Sequence, residues 1–101
     1  MKITHIEQTC GACPSQWEIT LKNGHMIYVR YRWGCLYIGM SAKPTNNIDY
    51  AIYDNSSLTL LDEQVGGEFH GHMTTEQMME HLTPFLSDGV IEGYLSKERN
   101  T

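Results

Sequence analysis

The sequence predicts an α+β domain, in which an antiparallel β-sheet meander of four to six strands carries one helix from the C-terminal half on one face. Three observations lead to this prediction. Residues 15–22 alternate between apolar and polar side chains and run into Asn23-Gly24, the dipeptide most typical of a tight β-hairpin. Several other short segments have high β propensity. One helix-capping pattern begins at Thr74.

The predicted strands follow one another through the first sixty residues. Residues 2–8 are expected to form a short edge strand, and the glycine and proline residues within 10–14 mark a turn. Residues 15–22, 25–33 and 35–41 are then expected to pair as a three-stranded meander.

Two further strands are predicted after the loop that contains Pro44. Residues 48–53 and residues 58–61 are each expected to form a strand that follows the meander. Residues 62–73 have the glycine-rich composition of a loop.

One helix is predicted to begin after Thr74. Thr74 and Gln77 have the spacing of a capping box, and Glu76 suits the positive end of the helix dipole. Pro84 is expected to kink or end this helix. For residues 90–95, the sequence favours neither a strand nor a helical tail.

Composition limits the classes of function. A chain of 101 residues corresponds to a single domain, 1–101, and a hydrophobic content of 41% is that of a globular protein. Seven basic residues against twelve acidic ones give a net charge of −5, which argues against binding of a nucleic acid polymer. Residues 1–5 lack the apolar core of a signal peptide, and no apolar run is long enough to span a membrane. We therefore expect a cytoplasmic protein with no membrane partner.

The first hairpin suggests where a ligand would bind. A two-residue turn at Asn23-Gly24 would place Trp17 opposite Arg30, and cross-strand partners share a face of the sheet. One face would carry Trp17, Tyr28, Arg30 and Arg32, and the other Gln16, Glu18, Val29, Tyr31 and Trp33.

Aromatic rings beside guanidinium groups suit a flat, anionic ligand. Trp17 or Trp33 would stack on a base, and Arg30 and Arg32 would bind phosphate oxygens in bidentate fashion. Three residues are secondary candidates for stacking or for hydrogen bonds to a base edge: Tyr28, Tyr31 and Gln16. The alternative is a structural Trp17–Arg30 cation–π pair, worth about 0.5–2 kcal/mol. Glu18 is also a potential ion-pair partner of an arginine, within the chain or between subunits.

The apolar groups of residues 25–33 predict a homo-oligomer. They occupy both faces of the strand, and one helix cannot cover both. A two-fold dimer is the simplest assembly. The alternative is a monomer whose second face is closed by residues 60–73 and 90–95.

A zinc site is another chemical interpretation of the sequence. Cys10 and Cys13 have the spacing of a zinc knuckle, but a structural zinc needs four ligands and no second such pair exists. The further candidate ligands are His5, Cys35, His70 and His72. An odd number of cysteines fits a reducing compartment. Because the zinc pattern is incomplete, the sequence assigns no metal ligand. It contains neither a phosphate-binding glycine loop nor a cysteine or serine marked as a nucleophile, so it assigns no cofactor and no catalytic residue.

Three segments resemble a family of small uncharacterised proteins of phages and prophages. They are Ala12-Cys13-Pro14-Ser15-Gln16-Trp17-Glu18, Tyr31-Arg32-Trp33-Gly34 and Met73-Thr74-Thr75-Glu76-Gln77-Met78. The resemblance implies an accessory protein of a virus, acting in the cytoplasm of a host bacterium. Proteins of this size and source often inhibit host defence, either by sequestering a signal nucleotide or by binding a host protein.

The sequence therefore predicts a non-enzymatic protein that binds and sequesters a nucleotide-like anion, such as a host-defence signalling nucleotide. The alternatives are a protein–protein inhibitor of a host enzyme, an enzyme acting on the nucleotide signal, and a small zinc-stabilised domain.

Overall fold

The computed structural model describes residues 1–11, 15–52, 57–66 and 72–99. Within these ranges, five strands form one antiparallel sheet in the order β1-β2-β3-β4-β5, so each strand pairs with its neighbours in the chain. The strands are β1 (Ile3–Gly11), β2 (Ser15–Leu21), β3 (Met26–Arg32), β4 (Cys35–Ser41) and β5 (Ser57–Gln64). The predicted α+β meander is confirmed.

Helices follow and interrupt the sheet. They are α1 (Asp49–Ile52), α2 (Thr75–Leu82) and α3 (Asp88–Arg99), with a short 3₁₀ helix (Thr83–Phe85) between the last two. None of the helices in the described ranges is long and apolar enough to cross a membrane.

The sheet has one face that belongs to the hydrophobic core. This core face carries Trp17, Ile19, Leu21, Ile27, Val29, Tyr31, Leu36, Ile38 and Met40, all buried. Met78 and Leu82 of α2, with Ile91 and Leu95 of α3, pack into the same cluster. The two C-terminal helices therefore cover the core face, whereas α1 packs against part of the opposite side of the sheet, the outer face, near Gly39.

The helix predicted from Thr74 is confirmed. Thr74 Oγ1 accepts a hydrogen bond from Gln77 N at 3.1 Å, and Gln77 Oε1 accepts one from Thr74 N at 2.9 Å, which completes the capping box. The α-helix ends at Leu82, and Pro84 lies in the 3₁₀ turn that follows. Residues 90–95 lie within the helix α3.

The start of α2 is joined to β2 by two side-chain hydrogen bonds. Trp17 Nε1 donates to Thr75 Oγ1 at 3.0 Å, and Met73 N donates to Ser15 Oγ at 3.1 Å. These bonds fix where the helix begins over the core face.

The strand predicted at residues 48–53 was wrong, because residues 49–52 form the helix α1; residue 53 lies outside the described ranges. Asn47 Oδ1 accepts a hydrogen bond from Asp49 N at 3.0 Å, and Ala51 N donates to Ile48 O at 2.8 Å. Local capping and the burial of Ala51 thus override the β propensity of this segment. The predicted turn over 10–14 was wrong for its first two residues, which belong to β1; residues 12–14 lie outside the described ranges.

Candidate functional site

The loop between β2 and β3 has three residues, Lys22 to Gly24, rather than the predicted two. Leu21 N donates to His25 O at 2.9 Å, Gly24 N donates to Leu21 O at 2.9 Å, and Gly24 has a φ of 90°. A glycine with positive φ at the end of a three-residue loop is a common hairpin solution. The strand pairing is therefore shifted by one residue from the predicted register.

This shift moves residues between the faces of the sheet. Trp17 pairs with Val29, and Gln16 pairs with Arg30. The prediction that Trp17 lies on one face with Tyr28 and the arginines was wrong, and Gln16 and Glu18 share the arginine face instead.

Trp17 and Tyr31 are consequently core residues. Trp17 is fully buried with its indole N–H bonded to Thr75, and Tyr31 is 1% exposed. In this arrangement neither ring is accessible for stacking on a ligand, which removes two of the predicted binding residues from the surface.

Trp33 lies at the tip of the next hairpin rather than within a strand. Arg32 pairs with Cys35, which leaves Trp33 and Gly34 as a two-residue loop with φ values of 54° and 78°, as in a type I′ turn. Trp33 is the one non-glycine residue with positive φ in the described ranges, and its side chain is 49% exposed.

The end of β5 holds this tip in place. Gln64 Nε2 donates to Trp33 O at 3.2 Å and to Gly66 O at 2.6 Å, while Val65 N and Gly66 N both donate to Gly34 O. The turn that presents Trp33 is therefore braced from the neighbouring strand.

The candidate site is a cluster of polar and aromatic side chains on the outer face. Cross-strand pairing places these residues on three adjacent strands. This outer cluster consists of Gln16, Glu18, Tyr28, Arg30, Arg32 and Tyr37.

Tyr37 was not among the residues predicted for the site. It pairs with Arg30, and the guanidinium carbon of Arg30 lies 5.9 Å from the centre of the Tyr37 ring. The Tyr28 and Tyr37 rings are 6.2 Å apart at 53°. A two-residue turn at Trp33-Gly34 would have predicted this pairing, so the sequence does contain the signal.

The two arginines are exposed. Neither forms an ion pair with any residue in the described parts of the chain, whereas Arg30 is oriented by its cation–π contact with Tyr37. Both arginines point to one face, since residues two apart on a strand lie on the same side, about 7 Å from each other.

The electrostatics of the cluster act on Tyr28. Burial raises the pKa of Tyr28, the guanidinium of Arg30 opposes this rise, and the nearby carboxylate of Glu18 adds to it. Tyr28 therefore keeps its proton at neutral pH, and its hydroxyl accepts a hydrogen bond from Arg30 and can donate one to another group.

Gly39 leaves the space that α1 and the Tyr37 ring occupy beside the outer cluster. It pairs with Tyr28 on the outer face, and a Cβ at this residue would lie 2.3 Å from Ala51 O and 2.7 Å from Tyr37 Oη. Only a residue without a side chain lets α1 and the Tyr37 ring approach the sheet this closely.

The cysteines and histidines do not add a metal centre to the described site. No group of three or more potential metal ligands occurs among the residues that the structure describes. Cys10 is half-buried and Cys35 is exposed. Cys13 and His70 of the zinc alternative lie outside those residues.

The arrangement is suited to recognition of a flat anion. Two exposed guanidinium groups offer bidentate bonds to phosphate or carboxylate oxygens, and the half-buried Tyr37 adds aromatic surface beside them, whereas Tyr28 is buried. Comparisons with protein-family models, with curated proteins and with solved structures found no match to this chain.

Proposed function

We propose that this protein binds a nucleotide-like anionic small molecule on the outer cluster and sequesters it without chemical change. The observation that carries the proposal is that Arg30 and Arg32 lie on one face, exposed, with no ion pair to any described residue. Guanidinium groups that form no ion pair with a described residue retain N–H donors for an external anion, although Arg30 also donates a hydrogen bond to Tyr28.

The chemistry of the cluster supports a phosphate-bearing ligand. Each hydrogen bond to a charged group contributes about 1.5–3 kcal/mol, so two arginines on one ligand supply a large part of micromolar binding. Arg30 is held over Tyr37, which reduces the side-chain entropy that binding must overcome. The half-exposed indole of Trp33 next to Arg32 is available for stacking on a base.

The resemblance to small phage and prophage proteins supports a biological setting for this binding. We propose that the protein is a viral accessory protein that withdraws a host-defence signalling nucleotide in the bacterial cytoplasm. A dimer, the simplest of the predicted assemblies, is part of this proposal, and light scattering of the purified protein tests it.

Calorimetry tests the binding site directly. Purified protein is titrated with a panel of cyclic nucleotides and cyclic ADP-ribose isomers. For the ligand that binds, Arg30→Gln and Arg32→Gln are each expected to weaken affinity about 10-fold or more. The matched control is Lys22→Gln, which removes one exposed positive charge at the opposite end of the hairpin and should leave affinity unchanged. Absence of heat with every member of the panel would refute the proposal.

Mass spectrometry separates sequestration from catalysis. The supernatant of the heat-denatured protein is analysed for a small molecule carried through purification. Recovery of an intact nucleotide supports sequestration, and recovery of a cleaved one supports the alternative of an enzyme acting on the signal.

Inhibition of a host protein is a second candidate, favoured by the conformation of Trp33. Left-handed backbone costs a non-glycine residue about 1–2 kcal/mol, and such strain is concentrated at functional sites. Tryptophan is also enriched among residues that dominate protein interfaces. A pull-down from host lysate tests this candidate with Trp33→Asn, since asparagine tolerates the same backbone. A partner that is purified, identified and bound only by the wild type supports it, and equal capture by both proteins removes it.

A further inference from the structure

We infer that the outer cluster distinguishes between bases and prefers a guanine nucleotide to an adenine nucleotide, with Glu18 and Gln16 reading the base edge. This inference rests on the proposed function and narrows its ligand class. It concerns Gln16 and Glu18 on β2, which take no part in the proposed phosphate contacts of Arg30 and Arg32.

Glu18 is the acceptor in this arrangement. It is half-buried on the outer face, directly opposite Tyr28 on β3 and Glu7 on β1. Neither neighbour is a cation, and Glu18 forms no ion pair with any residue in the described ranges. An ionised carboxylate accepts hydrogen bonds and donates none. A bound molecule that reaches Glu18 must therefore present donors to it.

Gln16 provides the complementary group. It pairs directly with Arg30, and Glu18 lies two residues further along the same face of β2. Glu18 is thus the diagonal neighbour of Arg30, with Cα atoms about 7–8 Å apart. A single nucleotide spans such a distance between its phosphate and the far edge of its base. The amide of Gln16 can donate and accept hydrogen bonds, whereas the carboxylate of Glu18 beside it can only accept them.

Guanine matches this pattern and adenine does not. The Watson–Crick edge of guanine has a carbonyl oxygen followed by a ring N–H and an exocyclic amino group. The amide of Gln16 can donate to the carbonyl, and the carboxylate of Glu18 can accept from both nitrogens. Adenine has a ring nitrogen lone pair where guanine has the N–H, so its edge would oppose the carboxylate with an acceptor. A bidentate pair of this kind discriminates by about 1–3 kcal/mol, which is roughly 5- to 150-fold in affinity.

Calorimetry with GMP, IMP and AMP tests the inference, because IMP keeps the ring N–H of guanine and lacks its amino group. We expect the affinity order GMP, IMP, AMP, with GMP bound about 10-fold or more tightly than AMP. In Glu18→Gln, the ratio of GMP to AMP affinity is expected to fall close to one. The matched control Glu7→Gln removes the carboxylate facing Glu18 across the β1–β2 pair and is expected to keep the ratio.

The outcomes separate this inference from the proposed function. Equal affinity for GMP and AMP, or a preference that survives in Glu18→Gln, overturns the base preference while the arginine-dependent binding stands. The same conclusion follows if an adenine nucleotide of the panel binds and no guanine nucleotide does. If no nucleotide binds at all, the proposed function itself fails.

Discussion

Replacement of Gly39 by alanine is expected to destabilise the fold by about 1–2 kcal/mol. The new methyl group would lie 2.3 Å from Ala51 O and 2.7 Å from Tyr37 Oη. The carbonyl oxygen belongs to the backbone of α1, and it must retreat by about 1 Å to reach an ordinary van der Waals separation. Overpacking of this kind costs about 1–3 kcal/mol, against which the stiffer unfolded chain returns about 0.4–1 kcal/mol.

A second glycine provides the control for this experiment. Gly93 lies in the helix α3, and a Cβ there would meet nothing within 4 Å. Gly93→Ala is therefore expected to raise the free energy of unfolding by about 0.5–1 kcal/mol, because glycine is a poor residue inside a helix. The same chemical change should thus have opposite signs at the two positions.

Urea unfolding followed by circular dichroism measures both effects. For a domain of this size, 1 kcal/mol corresponds to about 4–8 °C in Tm, so thermal unfolding gives an independent reading. If Gly39→Ala were as stable as the wild type, the close approach of α1 to the sheet could not be the reason that this position holds glycine.

Three further predictions concern the cap, the tryptophans and the tyrosine of the cluster. Thr74→Ala removes the side chain that caps α2 and should lower the free energy of unfolding by about 1 kcal/mol, seen as a lower urea midpoint at unchanged m. In Trp33→Phe the remaining indole is the buried Trp17, so its emission should be blue-shifted and resist acrylamide quenching. In Trp17→Phe the remaining indole is the half-exposed Trp33, so its emission should be red-shifted and readily quenched. Equal quenching of the two variants would contradict this difference in exposure. Burial raises the pKa of Tyr28 in the folded state, so stability is unaffected by this proton below pH 10.0 and falls as pH rises from there towards the raised pKa. Alkaline titration of unfolding should show a shallower fall for Tyr28→Phe, and identical curves would mean that Tyr28 titrates normally.

The strands of the sheet could be predicted from the sequence, but the register between β2 and β3 could not. Alternation of side chains places β2 within residues 15–22, and Asn23-Gly24 does occupy the hairpin loop. That dipeptide is compatible with loops of either two or three residues, and the chain uses three because Gly24 takes the left-handed conformation next to a Leu21–His25 closure. Because of this one-residue difference in register, Gln16 and not Trp17 lies opposite Arg30.

The helix α1 has a local signal in its Asn47 cap, but its packing depends on a contact with a distant element. Residues 48–53 have high β propensity, and the space that admits Ala51 is created by Gly39 on a different element. The helix α3 did leave a local signal: Ser87 Oγ accepts a hydrogen bond from Val90 N at 3.2 Å, and Ile91 and Leu95 are four residues apart. Its two glycines, Gly89 and Gly93, weaken that signal.

The candidate site was predicted in part. Arg30 and Arg32 lie together on one face because residues two apart on any strand do so, whatever the register. The aromatic partner depends on register, and for this reason Tyr37 replaces Trp17 beside Arg30.

The order of elements along the chain has a consequence for biosynthesis. All five strands precede α2 and α3 in the sequence. A nascent chain can therefore pair neighbouring strands before the two helices that cover the core face have been translated. During that interval Trp17, Ile27 and Ile38 would face water. Synthesis of α2 and α3 is then the event that buries the exposed core face of the sheet.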